Sequence, residues 1–294
     1  MTASTTATII DGKAIAAAIR EEVKQGVAAL KAEKGITPGL ATVLVGEHPA
    51  SVSYVKSKRE TSAELGIRSF PYTLPKETSQ AEVIKLVQEL SANPEVHGIL
   101  VQLPLPSHID EKTVLAAVAV NKDVDGFHPI NIGELGMKGR VPAFAPCTPA
   151  GVIELLKRTG VKLSGANAVV LGRSNLVGLP VALLLLRNDA TVTVCHSRSQ
   201  NLPEICRRAD ILIAAIGKAR FVTADMIKPG AVVIDVGVNR IEDASKKSGF
   251  RLVGDCDYDA VKNVASAITP VPGGVGPMTI AMLMVNTLQA AQRG

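Results

Sequence analysis

The chain has 294 residues, 47% of them hydrophobic and 20% charged, an ordinary globular balance with length enough for two domains. Its 32 Lys and Arg exceed 27 Asp and Glu, but they are spread without a basic block; aromatics are 3% and Trp is absent, which argues against a nucleic-acid platform and leaves attraction of a small polyanion as the functional use of the excess. No membrane span is expected, because the aliphatic run VALLLL (181–186) is far too short, and the first twenty residues lack the basic start and apolar core of a signal peptide. Cys147, Cys195, Cys206 and Cys256 form no CxxC pair, which fits reduced thiols in a cytoplasmic protein.

In chain order, LATVLVG (40–46) reads as a strand and residues 51–66 as a helix marked by Val52, Val55, Ala63 and Leu65. IRSFPYTL (67–74) reads as a strand, residues 79–93 as an amphipathic helix, VHGILVQLPL (96–105) as a strand and residues 110–120 as a helix. Such alternation implies parallel strands with crossover helices. Residues 131–149 are rich in Gly and Pro and read as the connection between domains; Thr148 and Pro149 look like the cap and first residue of the next helix. The alternation then restarts: strand 167–172, helix 178–188, strand 190–196, helix 201–208, and strands within 210–217, 230–239 and 251–256. A last helix starts at Pro277 and is expected to pack back on the first domain.

The stretch AVVLGRSNLVGLP (168–180) is a buried strand turning tightly into a helix, where unpartnered helix N–H groups attract phosphate. Gly172 stands first, Ser174 occupies the second glycine's place and Gly178 follows four residues later, so the spacing departs from G-x-G-x-x-G. About 20 residues on, a carboxylate would bind a ribose 2′-hydroxyl. This chain has His196, Ser197 and Arg198 instead, and Arg173 adds a cation in the first loop. A lone Arg is usually just solvated, but two at these places favour NADP over NAD.

Tyr54 and Lys58 are four apart on a helix, with Gln102 and Asp125 at the ends of neighbouring strand and loop segments. Asp125 reads either as a ligand-binding carboxylate or as a turn or cap residue, and Asp123 suits the turn better. The glycines within 273–276 make either a flexible turn or a loop that lets a ligand approach the backbone. The five histidines have no metal-ligand spacing, and no metal is expected.

The segments YVKSK (54–58), GILVQLPLP (98–106), KDVDGFHPIN (122–131), PCTP (146–149), GRSNLVGLP (172–180) and ITPVPGGVGPMT (268–279), in this order, resemble the bacterial bifunctional methylenetetrahydrofolate dehydrogenase/cyclohydrolase (FolD) family over nearly the whole length. The resemblance implies an α/β chain of two domains. One is an N-terminal three-layer-like catalytic domain (1–142 with 277–294) that binds folate; the other is a Rossmann-type doubly wound parallel-sheet NADP domain (143–276). It implies a cytoplasmic homodimer that acts on tetrahydrofolate derivatives in one-carbon metabolism, without nucleic acid or membrane. The activities would be oxidation of 5,10-methylene- to 5,10-methenyl-tetrahydrofolate and hydrolysis of the latter to 10-formyl-tetrahydrofolate.

Carried over by motif, Lys58 is the catalytic lysine, Gln102 its support, Tyr54 the stacking ring and Asp125 the pterin carboxylate, with Pro272, Gly273 and Gly276 also against the substrate. Gly172, Arg173, Ser174, Ser197, Arg198 and Val238 would hold the cofactor. A carboxylate can accept both N–H donors of a pterin edge, and a lysine whose pKa is lowered by a nearby cation and partial desolvation can move a proton. Ser62 departs from the family, which often has Cys there. Two other readings stand beside this one: an NADP-linked dehydrogenase of another substrate on the same plan, such as a shikimate-type enzyme, and a non-enzymatic nucleotide sensor. The Gln102 and PGGVGPMT motifs count against the first, and the convergence of Tyr54, Lys58 and Asp125 against the second.

Overall fold

A computed structural model describes residues 6–246 and 249–293. Residues 1–5, in the stretch read for a targeting signal, and Gly294, the end of the expected first domain, lie outside them. In chain order the elements are β1 (Thr8–Ile9), α1 (Gly12–Lys34), β2 (Gly39–Val45), α2 (Pro49–Glu64), β3 (Arg68–Leu74), α3 (Gln80–Ala92), β4 (Gly98–Val101), α4 (Glu111–Ala116) and α5 (Pro129–Leu135). Then come α6 (Cys147–Arg158), β5 (Asn167–Leu171), α7 (Gly178–Arg187), β6 (Thr191–Cys195), α8 (Leu202–Cys206), β7 (Ile211–Ala214), β8 (Val232–Asp235), β9 (Asn239–Glu242), β10 (Phe250–Val253), α9 (Tyr258–Val261), β11 (Ala267–Ile268) and α10 (Val275–Arg293).

The chain divides into two compact units, Ala17–Cys147 with Ile280–Gly294 and Met1–Ala16 with Thr148–Thr279. The first holds a three-stranded parallel sheet in the order β3-β2-β4. Central β2, GLATVLV, is buried throughout, as a parallel strand covered on both faces must be. Edge strand β3 alternates in exposure and tolerates Pro71, which a central strand would not. Val83, Val87 and Leu90 of α3 pack on Val43, Val45, Ile99 and Val101. Ser79 starts α3 with a reciprocal capping box to Glu82. The C-terminal helix closes this unit: Asn286 reaches Val124, and Ser62 lies 3.5 Å from Met284.

The second unit holds a six-stranded parallel sheet, β1-β11-β8-β7-β5-β6, around a core that includes Val169, Leu171, Leu212, Ala214, Val233 and Ile268. The order runs outward from β5 in both directions, the doubly wound plan.

Several local expectations need correction. Residues 6–16 side with the six-stranded sheet because Thr8–Ile9 pairs with Ala267–Ile268. The stretch 131–149 is not a plain connection; α5 occupies its start, begun by Pro129 and by His128 Nδ1 accepting from Ile130 N at 3.1 Å. Thr148 lies inside α6 rather than capping it, and its hydroxyl meets that of Thr279 at 2.8 Å. The strand expected at 251–256 leaves the main sheet: β10 pairs antiparallel with β9 as a two-stranded ribbon. The last helix begins at Val275, two residues before Pro277. Helix α1, with Ala16, Ile19, Val23, Val27 and Leu30 buried at helical spacing, was absent from the sequence reading.

Candidate functional sites

In the three-stranded unit the inward stripe of α2 is polar. Ser51, Val55, Lys58 and Ser62 recur every three or four residues and are buried, whereas Val52 and Ala63, expected as apolar markers, face solvent. This periodicity carries Lys58 inward, to 6% exposure, while Tyr54 one turn earlier is 49% exposed. Ser62 bonds the Lys58 carbonyl at 2.8 Å, so the hydroxyl in place of the family's thiol is used within the helix.

The Lys58 ammonium donates to Gln102 Oε1 at 2.9 Å. Gln102 immediately follows β4 and still donates its backbone N–H to Val43 O at 2.8 Å. Its Nε2 donates to Leu103 O at 2.7 Å, which turns Oε1 toward the lysine. Asp125 is also in electrostatic reach of Lys58. The structure therefore supplies an anion where the sequence reading asked for a neighbouring cation. Asp125 keeps partial contact with solvent yet lies deep among protein atoms. Desolvation raises its pKa, opposed by the Lys58 charge and a bond from Cys147. Burial, reinforced by the Asp125 charge, pushes the Cys147 thiol well above its ordinary value.

Asp123 takes the turn role. It accepts from the N–H groups of Phe127 (3.3 Å) and His128 (2.8 Å) and from Asn131 Nδ2 (2.8 Å). Burial raises its pKa to about 6 against those bonds. Lys58, Gln102, Tyr54 and Asp125 thus belong to one unit. Pro272, Gly273 and Gly276 belong to the other, where residues 271–273 form a turn and Gly276 lies in the first turn of α10.

In the six-stranded unit a cavity of about 300 Å³ opens at the carboxyl ends of three adjacent strands. Leu171 ends β5 and Gly172 to Ser174 follow it, Cys195 ends β6 and His196 and Ser197 follow it, and Ala215, Ile216, Lys218 and Phe221 follow β7. Gly172, at φ +117°, passes so close to β7 that a Cβ would sit 2.1 Å from Ala215 O, a position open only to glycine. Ser174 accepts from the N–H groups of Val177 (3.2 Å) and Gly178 (3.3 Å). The start of α7 is thus capped internally, contrary to the expectation of unpartnered N–H groups there. Arg198, whose N–H bonds His196 Nδ1 at 3.2 Å, and exposed Val238 do not line this cavity.

The sequence reading missed Lys218, whose ammonium lies 5.6 Å from the Phe221 ring centre. A search of strand ends would have found it. It also missed the buried Asp255, which accepts from the N–H groups of Ile216 (2.7 Å), Gly217 (2.9 Å) and Lys218 (2.9 Å) and so braces one cavity wall.

A dinucleotide fits what is present: apolar walls for a purine, a glycine cradle under the loop, and Arg173 and Lys218 for phosphate. The fold and its two sites define a two-unit α/β enzyme linked to a nicotinamide cofactor. The chain belongs to the tetrahydrofolate dehydrogenase/cyclohydrolase family, matching its catalytic domain over residues 10–125 and its NAD(P)-binding domain over residues 146–294. It is 59% identical over 288 residues to the bifunctional protein FolD 2 of Arabidopsis thaliana, covering 98% of this chain and 96% of the relative. It is 56% identical over 287 residues to bifunctional FolD of Moorella thermoacetica, covering 98% and 99%. The FolD crystal structure from Campylobacter jejuni superposes with a TM-score of 0.91 at 48% identity over 97% of this chain and 99% of that one. The Trypanosoma brucei enzyme, complexed with NADP and an inhibitor, gives 0.94 at 44% identity over 98% of each. Family membership removes the shikimate-type and sensor readings.

Proposed function

We propose that Lys58, Gln102, Tyr54 and Asp125 form the folate site at which this chain carries out both reactions of its family. These are the NADP-dependent oxidation of 5,10-methylene- to 5,10-methenyl-tetrahydrofolate and hydrolysis of that product to 10-formyl-tetrahydrofolate. The observation that carries the assignment is the buried Lys58 ammonium fixed on Gln102 Oε1 at 2.9 Å, with Asp125 in electrostatic reach.

Asp125 accepts the paired N–H donors of the pterin edge. The half-exposed Tyr54 ring offers a flat face for stacking. In the other unit Gly273 and Gly276, beside Pro272, offer bare backbone that a ligand can approach closely. In the hydrolytic step water adds to the cationic amidine carbon and one carbon–nitrogen bond opens; of the water's two protons one leaves to solvent, so that the oxygen ends as the formyl carbonyl, and the other passes to the released ring nitrogen. Lys58 is the titratable group placed to move that proton, and Gln102 holds it without adding charge.

Gly172, Arg173 and Ser174 hold the cofactor phosphates, Ser197 and Arg198 the ribose phosphate, and Val238 a further part of the cofactor. Because Ser174 closes the helix start, phosphate binding rests on the loop and its cation rather than on the first N–H groups of α7. When bound, NADP supplies the acceptor for the hydride leaving the one-carbon bridge.

The working form is proposed to be a cytoplasmic homodimer. Exposed Leu179 and Leu186 on α7 and Val194 on edge strand β6 are apolar surface for a second copy. Light scattering that returns a monomer at working concentration removes the dimer. For the function, purified protein is given methylene-tetrahydrofolate and NADP while absorbance of the methenyl product is followed. Formation and then decay of that product is expected, and no NADP-dependent formation defeats the assignment.

A further inference from the structure

Asp125 sits on a short segment, Val124 to Gly126, whose backbone is fixed from two sides. From one side Asp123 holds the turn that follows, and Ile99 of β4 makes a parallel bridge to it. From the other, residues 145–147 run alongside: Cys147 N–H donates to Asp125 O at 3.4 Å and its thiol to Val124 O at 3.3 Å. Gly126, at φ +79°, lies so near this strip that a Cβ would stand 2.5 Å from the Ala145 carbonyl carbon.

One side chain ties the two segments together. Asn286 of α10 is 5% exposed, and its Nδ2 donates to Val124 O at 2.8 Å and to Ala145 O at 3.2 Å, with the Cys147 sulfur at 3.6 Å. An amide nitrogen carries two hydrogens, enough for both carbonyls. No other residue type of this size offers two neutral donors at one atom. A carboxylate would repel both oxygens, and an apolar isostere would take the amide donor from Ala145 O and leave Val124 O with only the weak Cys147 thiol.

We propose that Asn286 is a positioning residue for folate recognition. It touches neither substrate nor cofactor and acts by fixing the backbone on which Asp125 stands. The inference rests on the reading of Asp125 as the pterin carboxylate. Because both hydrogen-bonded segments lie in the three-stranded unit, the cofactor cavity in the other unit should not register the loss.

The test compares Asn286→Leu, Asn286→Ser and Asp125→Asn by steady-state kinetics with each substrate varied in turn. For Asn286→Leu the KM for methylene-tetrahydrofolate should rise about tenfold or more, as expected when buried acceptors lose their donor. The KM for NADP should stay at the wild-type value, and kcat at saturating folate should change far less than KM. Asn286→Ser keeps one donor and should fall between wild type and Leu; it carries the test if the Leu variant does not fold. A lowered melting temperature and kcat with unchanged folate KM would make Asn286 a packing residue and overturn the proposal. An unchanged folate KM in Asp125→Asn would instead defeat the folate-site reading, and the positioning role with it.

Discussion

The two units solve recognition in opposite ways. In the six-stranded unit the site is an open cavity at strand ends, and a buried carboxylate such as Asp255 stands behind the wall, holding three consecutive N–H groups. In the three-stranded unit the ionisable groups are themselves enclosed: Lys58 is 6% exposed and faces Gln102 and Asp125. Holding a dinucleotide asks for shape and surface charge, which strand ends provide. Moving a proton asks for groups withdrawn from water, so that their mutual interactions are strong.

The contrast breaks hardest at Lys58. Lys58→Met keeps bulk and removes the titratable group, so cyclohydrolase activity should fall by ~10²–10⁴ while the dehydrogenase falls less and methenyl-folate accumulates. Following formation and decay of methenyl-folate in one cuvette, with circular dichroism as a folding control, decides it. Unchanged decay in a folded variant would move the proton carrier elsewhere.

Asp125→Ala comes next. Loss of a charge-assisted bond should weaken folate binding by about 1.5–3 kcal/mol and leave NADP binding intact. Calorimetry showing equal weakening of both ligands would make Asp125 a support for the fold rather than a ligand.

On the cofactor side, Ser197→Asp should raise the KM for NADP roughly tenfold or more by repelling the 2′-phosphate, with NAD much less affected. Arg198, outside the cavity, should matter less than Ser197. Equal effects on the two cofactors would place Ser197 away from the ribose phosphate.

The smallest effect concerns pH. Asp123 has a pKa of about 6 when folded against an ordinary 3.8. Between those values the folded state binds more protons than the unfolded state, so this group's contribution to stability falls as pH rises through the window. The melting temperature of wild type relative to Asp123→Asn should therefore drop by about a few degrees between pH 4 and pH 6.5. Parallel curves across that range would show that Asp123 titrates normally.

The parallel strands, their crossover helices and the tight turn after β5 are legible because continuous apolar runs and glycine spacing report directly on buried strands and tight turns. Helix α1 escaped because its buried stripe, which includes the small Ala16, is offset by alanines and charges on the exposed face that blur the apolar periodicity. Strand β1 escaped because two residues carry no periodicity. The strand at 251–256 was placed in the wrong sheet because hydrophobic pattern alone does not choose a pairing partner. At the site, Lys58, Gln102 and Asp125 could be picked out by motif, but the inward turn of Lys58 could not: it follows a stripe containing serines, which a hydrophobic count ignores. Asn286 and Asp255 left no local signal, since each acts on backbone atoms far away in sequence.

The pairing of β1 with β11 has a consequence for how the polypeptide matures. During synthesis, strands β2, β3 and β4 have all emerged by residue 101 and can assemble among themselves. Thr8–Ile9, made first, has no neighbour in its sheet until Ala267–Ile268 exists. A contact spanning that much chain closes slowly. The six-stranded sheet is therefore expected to gain its edge strand only near the end of translation, and a ribosome-bound chain cut before residue 267 should leave its amino-terminal segment open to protease.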